Sequence, residues 1–183
     1  MTYRVEPFSH KRRADFDAVH CDADDAGWCR CVAWWVETWD GWSERTAAEN
    51  AALRDELCGR GEYDGVLAYA WWLPVGWCQV GRRDRLAKLV AQLALEPDAS
   101  VWAATCFLVT PSHRGRGVAR ALLDGAVTLA REHGATRIEG YPRASGDDPG
   151  EQWTGPARLF ADAGFRPVRD GTPRQVWSLD LRR

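Results

Sequence analysis

The chain has 183 residues, enough for one domain with a full hydrophobic core. Its formal net charge of −2 argues against a nucleic-acid-binding protein, because no excess of basic residues dominates the composition. No apolar run approaches the roughly 20 residues that a membrane-spanning helix requires, and residues 1–7 lack the apolar core of a secretory signal. We therefore expect a single domain over residues 1–183, located in the cytoplasm, without nucleic-acid or membrane partners.

The first half of the chain predicts one strand, two helices and a β-hairpin. Thr46 and Glu49 have the spacing of a capping box at the start of the second helix. The turn of the hairpin is expected at Leu73-Pro74. The predicted spans are 2–6, 9–19 with Ser9 as N-cap, 46–59, 65–72 and 75–80. The tryptophans expected on strands, and mostly in the core, are Trp71, Trp72, Trp77 and Trp102.

The second half predicts alternating strands and helices. Residues 101–109 are almost uncharged and rich in apolar side chains, as in a buried strand. Residues 118–133 have apolar side chains at helical spacing. The other predicted spans are a helical or irregular segment over 82–95, a strand over 136–141, a loop over 143–152, a helix over 156–163, and a strand pair over 165–168 and 175–181. The resulting order is β-α-α-β-β-β-α-β-α-β-β.

The six cysteines are expected to be reduced thiols packed in the fold, as is usual in a cytoplasmic chain. Only Cys21, Cys29 and Cys31 form a cluster in the sequence. A structural zinc site is the alternative, but the cluster has no Cys-x-x-Cys pair and only His20 beside it. We therefore predict no metal. Cys106 as a covalent acyl carrier is also disfavoured, since no Cys-His-Asp arrangement is evident.

A short glycine- and arginine-rich loop, residues 114–119, lies between the buried strand and the amphipathic helix. This phosphate loop exposes backbone N–H groups at the positive end of a helix dipole, which suits a phosphate or pyrophosphate. It lacks the Gly-Lys-Ser/Thr of a Walker loop and the third glycine of a dinucleotide fingerprint. A glycine-rich helix entry without any ligand is the remaining structural alternative.

The run Arg114-Gly115-Arg116-Gly117-Val118-Ala119 resembles the acetyl-CoA loop of the GNAT family of N-acetyltransferases, whose pattern is Arg/Gln-x-x-Gly-x-Gly/Ala. Ala163-Gly164-Phe165 is similar to the Gly-Phe pair that ends the fourth helix of that family. The resemblance covers nearly the whole chain and is weakest over residues 1–60. It implies an α+β fold of one domain, with a mixed, mostly antiparallel sheet of six to seven strands flanked by helices.

The same resemblance implies acetyl-CoA as co-substrate. Its pyrophosphate would lie on the amides of the phosphate loop, with contacts from Arg114, Gly115, Arg116, Gly117, Val118 and Ala119. Its pantetheine arm would run beside the preceding strand, bonded to backbone groups of Phe107, Leu108 and Val109. One of those N–H groups would polarise the thioester carbonyl.

Acetyl transfer to an amine needs a base for the ammonium and an acid for the thiolate that leaves. In many family members the acid is a tyrosine four residues before the glycine of the Gly-Phe pair, but this chain has Phe160 there. Tyr141 has the best remaining hydroxyl and is the candidate acid. The alternative is that Tyr141 is a buried aromatic residue with an ordinary hydrogen bond. Glu139, two residues earlier on the same strand face, is the candidate base. The alternative is that Glu139 is a solvated carboxylate without a catalytic role.

Residues 20–42 interleave acidic side chains with tryptophans. In the resembling family this segment forms one wall of the acceptor pocket, and we call it the acceptor wall. Indole faces stack on sugars and cations, and carboxylates pair with ammonium groups. Core filling explains some of the tryptophans equally well. The predicted acceptor-binding residues are Asp22, Asp24, Asp25, Trp34 and Glu37.

These observations predict an acetyl-CoA-dependent N-acetyltransferase acting on a primary amine of a small cationic molecule. An aminoglycoside-type antibiotic is the leading acceptor, since the kasugamycin-type 2′-N-acetyltransferases of the family are of similar size. The alternatives are a peptide or protein N-acetyltransferase, and a non-catalytic acyl-CoA-binding sensor suggested by Phe160. The oligomeric state stays open between a monomer and a homodimer.

Overall fold

The structure, a computed structural model, describes residues 2–23, 26–144, 152–171 and 173–182. Seven strands form one sheet in the order β1-β2-β3-β4-β5-β7-β6. Neighbouring strands are antiparallel except for the parallel pair β4 and β5. The strands are β1 (Arg4–Pro7), β2 (Gly65–Ala70), β3 (Leu73–Arg82), β4 (Val101–Val109), β5 (Arg137–Gly140), β6 (Arg166–Arg169) and β7 (Val176–Asp180). The expected α+β fold and mixed sheet are thus confirmed.

The helices pack on both faces of the sheet. They are α1 (Arg13–Cys21), α2 (Ala47–Gly59), α3 (Ala87–Gln92), α4 (Val118–Glu132) and α5 (Ala157–Asp162). Because side chains alternate along a strand, Val66 and Ala68 face the core beneath α4, whereas Leu67 and Tyr69 face the core beneath α1 and α2. The helical spacing predicted for α4 is confirmed, since its apolar residues are buried: Val118, Leu122, Leu123, Ala126, Val127, Leu129 and Ala130.

The capping box of α2 is also confirmed. Thr46 Oγ1 accepts from the Glu49 N–H at 3.2 Å, and the Thr46 N–H donates to Glu49 Oε2 at 2.7 Å. The predicted cap of the first helix is wrong. Ser9 precedes a 3₁₀ turn, His10–Arg12, without a capping side-chain bond, and α1 begins only at Arg13.

The β2–β3 turn lies two residues earlier than predicted. Trp71 and Trp72 form the turn, and Pro74 lies within β3. Trp71 has a φ of 60°, and the two side chains are 78% and 84% exposed, so their predicted core positions are wrong. Trp77 and Trp102 are buried as expected. Tryptophan is apolar enough to favour a strand core, but the strand pairing decides which residues turn.

A bulge in β4 shapes the middle of the sheet. Pairing with β3 shifts at Thr105, whose hydroxyl bonds to the buried Gln79 amide. Before the bulge, Val101–Ala104 pair with β5; after it, β5 has ended and the β4 edge facing β5 has no strand partner among the described residues. The strand pair at the end of the chain is confirmed as β6 and β7. Most of the predicted loop over 143–152 lies outside the described residues.

Candidate active site

The phosphate loop connects β4 to α4 with the geometry of an anion site. Gly115 and Gly117 have φ angles of 71° and 86°, and Gly117 is the N-cap of α4. A side chain other than glycine is strained at such angles. A Cβ placed on either glycine would meet nothing within 4 Å, so the space above the loop is open. Among the described residues no side chain caps α4, which leaves the N–H groups of its first turn directed at that space.

The three arginines of this region differ in their contacts. Arg114 Nε donates to the Val109 carbonyl at 3.2 Å, which ties the loop to the end of β4. Arg116 is exposed, and its carbonyl accepts from Tyr3. Arg120 pairs with Asp124 at 2.9 Å and donates to the Asp162 carbonyl at 2.7 Å. The residues of the loop therefore fit a pyrophosphate through backbone donors, with Arg114 and Arg116 adding positive charge.

Beyond the bulge, the backbone N–H and C=O groups of successive β4 residues point alternately toward β3 and toward the open edge of the strand. The Thr110 N–H donates to Val75 of the neighbouring chain segment at 3.0 Å, and antiparallel pairs alternate in direction. Leu108 therefore turns its backbone groups toward Trp77 on β3, whereas Phe107 and Val109 turn theirs toward the open edge. The Phe107 N–H donates to the Trp153 carbonyl at 2.7 Å. Of the three residues predicted to hold pantetheine, Phe107 and Val109 face the open edge.

A cavity of about 310 Å³ lies beside this part of β4. We call it the tryptophan cavity, because five of its eleven lining residues are tryptophans, four from the acceptor wall and one at residue 153. The lining residues are Trp28, Cys29, Cys31, Ala33, Trp34, Trp39, Trp42, Cys106, Phe107, Leu108 and Trp153. None of these described lining residues carries a formal charge.

The predicted acceptor residues are spread over different surfaces. Trp34 lines the tryptophan cavity, where it packs against Trp153 with ring centroids 5.5 Å apart. Glu37 is exposed and borders a separate groove with Asp40 and Arg45, which shares the Trp42 side chain with the cavity. Asp22 is exposed at the end of α1 and does not line the cavity. The predictions for Asp24 and Asp25 lie outside the described residues.

A lysine shows how the tryptophans of the acceptor wall interact with cations. Lys88 Nζ lies 3.4 Å from the ring centroid of Trp39 and 5.5 Å from that of Trp42. Its only hydrogen bond among the described residues goes to the Thr38 carbonyl at 3.4 Å. Burial lowers the pKa of Lys88 to about 8. Two lining residues of the cavity thus already bind an ammonium group by cation–π contact.

Tyr141 and Glu139 lie together, as their two-residue spacing predicted, but in a buried cluster. The Tyr141 hydroxyl donates to Glu139 Oε2 at 2.8 Å. Arg83 Nη1 donates to both Glu139 oxygens at 2.9 Å, and Arg137 Nε donates to Oε1 at 3.1 Å. Burial, followed by the Glu139 carboxylate, raises the pKa of Tyr141 well above its usual value. Glu139 is 3% exposed, so its reading as a solvated carboxylate is wrong.

Phe160 occupies the place expected for the family's tyrosine. It lies on α5, fully buried, with its ring 6.1 Å from that of Phe107 on β4. Gly140 lets the ring approach β5, because a Cβ there would collide with it. The side chain at this position is therefore a hydrocarbon, with no proton to donate.

Residues that sequence reasoning missed line the cavity from two places. Trp153 lies just beyond the predicted loop, next to glycine- and proline-rich sequence that gave no signal of a binding role. Cys29 and Cys31 were predicted as packed thiols, yet they reach the cavity together with Cys106 of β4. Their sequence pattern predicted thiols packed in the core. Only the folded structure places them beside Cys106 on the wall of the cavity.

The family model described as "Acetyltransferase (GNAT) family" matches residues 27–147, about two thirds of the chain. No curated protein matches the sequence. Solved structures share the fold at low identity. The PaiA N-acetyltransferase of Thermoplasma acidophilum, in complex with coenzyme A, is 11% identical over 99% of this chain and 100% of its own, with a TM-score of 0.60.

Two further solved structures share the fold. YncA of Salmonella typhimurium, with its cofactor acetyl-CoA, is 17% identical over 100% of this chain and 95% of its own, with a TM-score of 0.59. A ribosomal-protein-alanine N-acetyltransferase of Brucella melitensis is 16% identical over 97% of this chain and 99% of its own, with a TM-score of 0.60. At these low identities the similarity is evidence of a shared fold alone.

Proposed function

Because the chain belongs to the GNAT family of acetyltransferases, we propose that it transfers the acetyl group of acetyl-CoA to a primary amine of a small cationic molecule. The observation that carries this proposal is the position of the tryptophan cavity, which meets β4 at Cys106, Phe107 and Leu108. An acetyl thioester beside the open edge of β4 faces an amine held in that cavity. Acetyl-CoA supplies the activated acetyl group, and the protein positions the two reactants.

The donor half of the site is formed by backbone. The first-turn N–H groups of α4, together with Gly115 and Gly117, bind the pyrophosphate in this proposal, and Arg114 and Arg116 add charge. In this proposal the pantetheine arm bonds to the outward Val109 N–H and to the second lone pair of the Val109 carbonyl, which already accepts from Arg114 Nε. The Phe107 N–H exchanges its bond to the Trp153 carbonyl for one to the thioester, which stabilises the developing oxyanion.

The acceptor half is formed by indole rings. Their faces suit an ammonium group or the apolar face of a sugar ring, and Lys88 over Trp39 supports the first of these contacts. An aminoglycoside-type amine remains the leading acceptor class. A peptide or protein amine is the alternative. Because no carboxylate lines the cavity, an aminoglycoside-type acceptor would be held there through one ammonium group and the apolar face of its sugar ring, and not through several ammonium groups.

The tyrosine that usually protonates the departing thiolate in this family is replaced in this chain by a phenylalanine. Phe160 leaves the departing thiolate, whose ordinary pKa is about 8.5, to solvent or to Tyr141. The catalytic roles of Tyr141 and Glu139 stay predictions. Each would have to give up a bond within the buried cluster that Arg83 holds together. Homodimer formation and a cytoplasmic location also stay predictions.

The test is a thiol-release screen with acetyl-CoA over aminoglycosides, polyamines, aromatic amines and amine-terminated peptides. We expect release of CoA with at least one small cationic amine, and mass spectrometry should show that amine acetylated once. Turnover restricted to peptides would replace the small-molecule acceptor by the alternative. Absence of release with every amine, while acetyl-CoA binds by calorimetry, would contradict the proposal.

A further inference from the structure

Three thiols from two distant parts of the chain meet on the wall of the tryptophan cavity. Cys29 and Cys31 belong to the acceptor wall, and Cys106 lies on β4, 75 residues after Cys31. The Sγ atoms of Cys31 and Cys106 are 2.8 Å apart. The Cys31 N–H also donates to the Cys29 Sγ at 3.4 Å. The thiols of Cys31 and Cys106 therefore bring the acceptor wall into direct contact with β4.

The backbone holds Cys31 in an unusual conformation to make this contact. Arg30 and Cys31 have φ angles of 46° and 51°, values that residues other than glycine and asparagine rarely adopt. The Tyr63 hydroxyl donates to the Arg30 carbonyl at 2.8 Å and fixes the turn. Strained backbone of this kind is often retained where it directs a reactive side chain. Here it directs the Cys31 thiol at Cys106.

A neutral imidazole borders the pair. His20 Nδ1 donates to the Phe16 carbonyl at 2.9 Å, which leaves Nε2, 3.5 Å from Cys31 Sγ, as an acceptor for the thiol. Burial lowers the pKa of His20 to about 3. Among the described residues, no group of three or more His, Cys, Asp or Glu side chains is arranged to hold a metal ion. The chemistry available to the cluster is that of neighbouring thiols.

We propose that Cys31 and Cys106 form an oxidation site, at which a hydroperoxide entering the tryptophan cavity converts the two thiols into a disulfide. Because burial raises the pKa of the Cys31 thiol, the Cys106 thiolate is the sulfur that attacks the peroxide: an S–O bond forms, the O–O bond breaks, and hydroxide leaves with a proton as water. The partner thiol then attacks the sulfenic acid sulfur; the S–S bond forms and a second water leaves. Two electrons pass from the thiols to hydrogen peroxide, and a dithiol reductant reverses the step.

The disulfide would act on the acceptor half of the site. It draws the sulfur atoms from 2.8 Å to about 2 Å and ties the acceptor wall to β4 by a covalent bond. The phosphate loop is not part of this link. We therefore expect oxidation to raise the KM for the acceptor several-fold while leaving the affinity for acetyl-CoA within about twofold. This consequence for catalysis rests on the proposed function; the disulfide itself does not.

The experiment treats the full chain with hydrogen peroxide, blocks remaining thiols by alkylation, and maps the peptides by mass spectrometry. We expect one cross-linked peptide pair containing Cys31 and Cys106, which dithiothreitol removes. Cys31→Ser and Cys106→Ser should each abolish it. Cys58→Ser, a change of a half-buried thiol on α2 outside the cavity, is the matched control and should retain it.

Three outcomes would overturn the proposal: no intramolecular disulfide in the unmutated protein, a disulfide that pairs other cysteines, or a cross-link unaffected by Cys106→Ser. Because the cross-link is measured by mass, it is read independently of any acetyl transfer. A cross-linked protein without acetyltransferase activity before oxidation would contradict only the proposed function. An active enzyme without the cross-link would contradict only the oxidation site.

Discussion

The phosphate loop and the acceptor wall border the same proposed active site but are held in shape by different interactions. The loop lies between a regular strand and a regular helix, and its two glycines adopt the positive φ angles that the turn requires. The acceptor wall is mostly irregular: between the end of α1 at Cys21 and the 3₁₀ turn that begins at Trp42, its described residues contain a single 3₁₀ turn, Ala26–Cys29. It is held by contacts with distant segments, such as Asn50 Nδ2 donating to the Trp28 carbonyl at 3.2 Å and Tyr63 bonding to the Arg30 carbonyl.

This difference indicates how each half responds to mutation. A change in the phosphate loop acts directly on backbone donors, so its effect should be large and confined to acetyl-CoA. In the acceptor wall, many aromatic contacts hold the structure together, for example Trp28 with Trp42 and Trp34 with Trp39, so a single substitution removes only a small part of them. Its effect should be smaller and confined to the acceptor, unless the whole wall rearranges.

The largest effect is expected for Gly117→Glu. A φ of 86° is unfavourable for glutamate, and its carboxylate would face the pyrophosphate. We expect the Kd for acetyl-CoA to rise at least about 100-fold, equivalent to about 2.7 kcal/mol, as measured by calorimetry. The matched control is Gly134→Glu, because Gly134 has a φ of 74° and open space at the other end of α4. An equal loss of affinity in both variants would place the binding site elsewhere.

Trp39→Ala tests the acceptor half at a side chain that lines the cavity and is 41% exposed. Loss of one indole face removes about 1 kcal/mol of contact with a bound cation. The acceptor KM should therefore rise about fivefold to tenfold, with acetyl-CoA affinity unchanged. Trp72→Ala, at the exposed hairpin turn, is the control and should leave both constants alone. An unchanged KM for Trp39→Ala would remove this side of the cavity from the acceptor site.

Tyr141→Phe distinguishes a proton donor from a structural hydroxyl. Because the hydroxyl is buried and bonded to Glu139, we expect the free energy of unfolding to fall by about 1 kcal/mol and kcat to stay within about twofold. Urea denaturation and steady-state kinetics measure the two quantities. A fall in kcat of about tenfold or more, in a protein that still folds, would instead support the catalytic role predicted from the sequence.

The smallest effect is expected for Glu37→Gln. Glu37 is exposed on a separate groove, and exposed charges contribute less than about 1 kcal/mol, even less at moderate salt. The acceptor KM should change by less than about twofold in 0.15 M salt, as in the control Glu132→Gln at the end of α4. A several-fold rise confined to Glu37→Gln would return the acidic residues of the acceptor wall to the acceptor site.

Local patterns predicted much of the fold because the interactions that form these elements lie close in sequence. The span of β4, the capping box of α2 and the buried face of α4 follow from neighbours within a few residues. The hairpin turn was misplaced because Trp71 and Trp72 resemble strand residues; only the pairing of Tyr69 with Pro74 and Ala70 with Leu73 excludes them from the ladder.

The sequence by itself determined the family, the strand–loop–helix that presents backbone donors, and the lack of a hydroxyl at Phe160. Only the tertiary structure decided that Glu139 lies among two arginines and a tyrosine, and that Trp153 joins the acceptor-wall tryptophans around one cavity. It also brought Cys31 to Cys106 across 75 residues. The physical reason is that helix caps and glycine turns depend on local backbone geometry, whereas burial, ion pairing and thiol contact depend on which distant segments the packed core brings together.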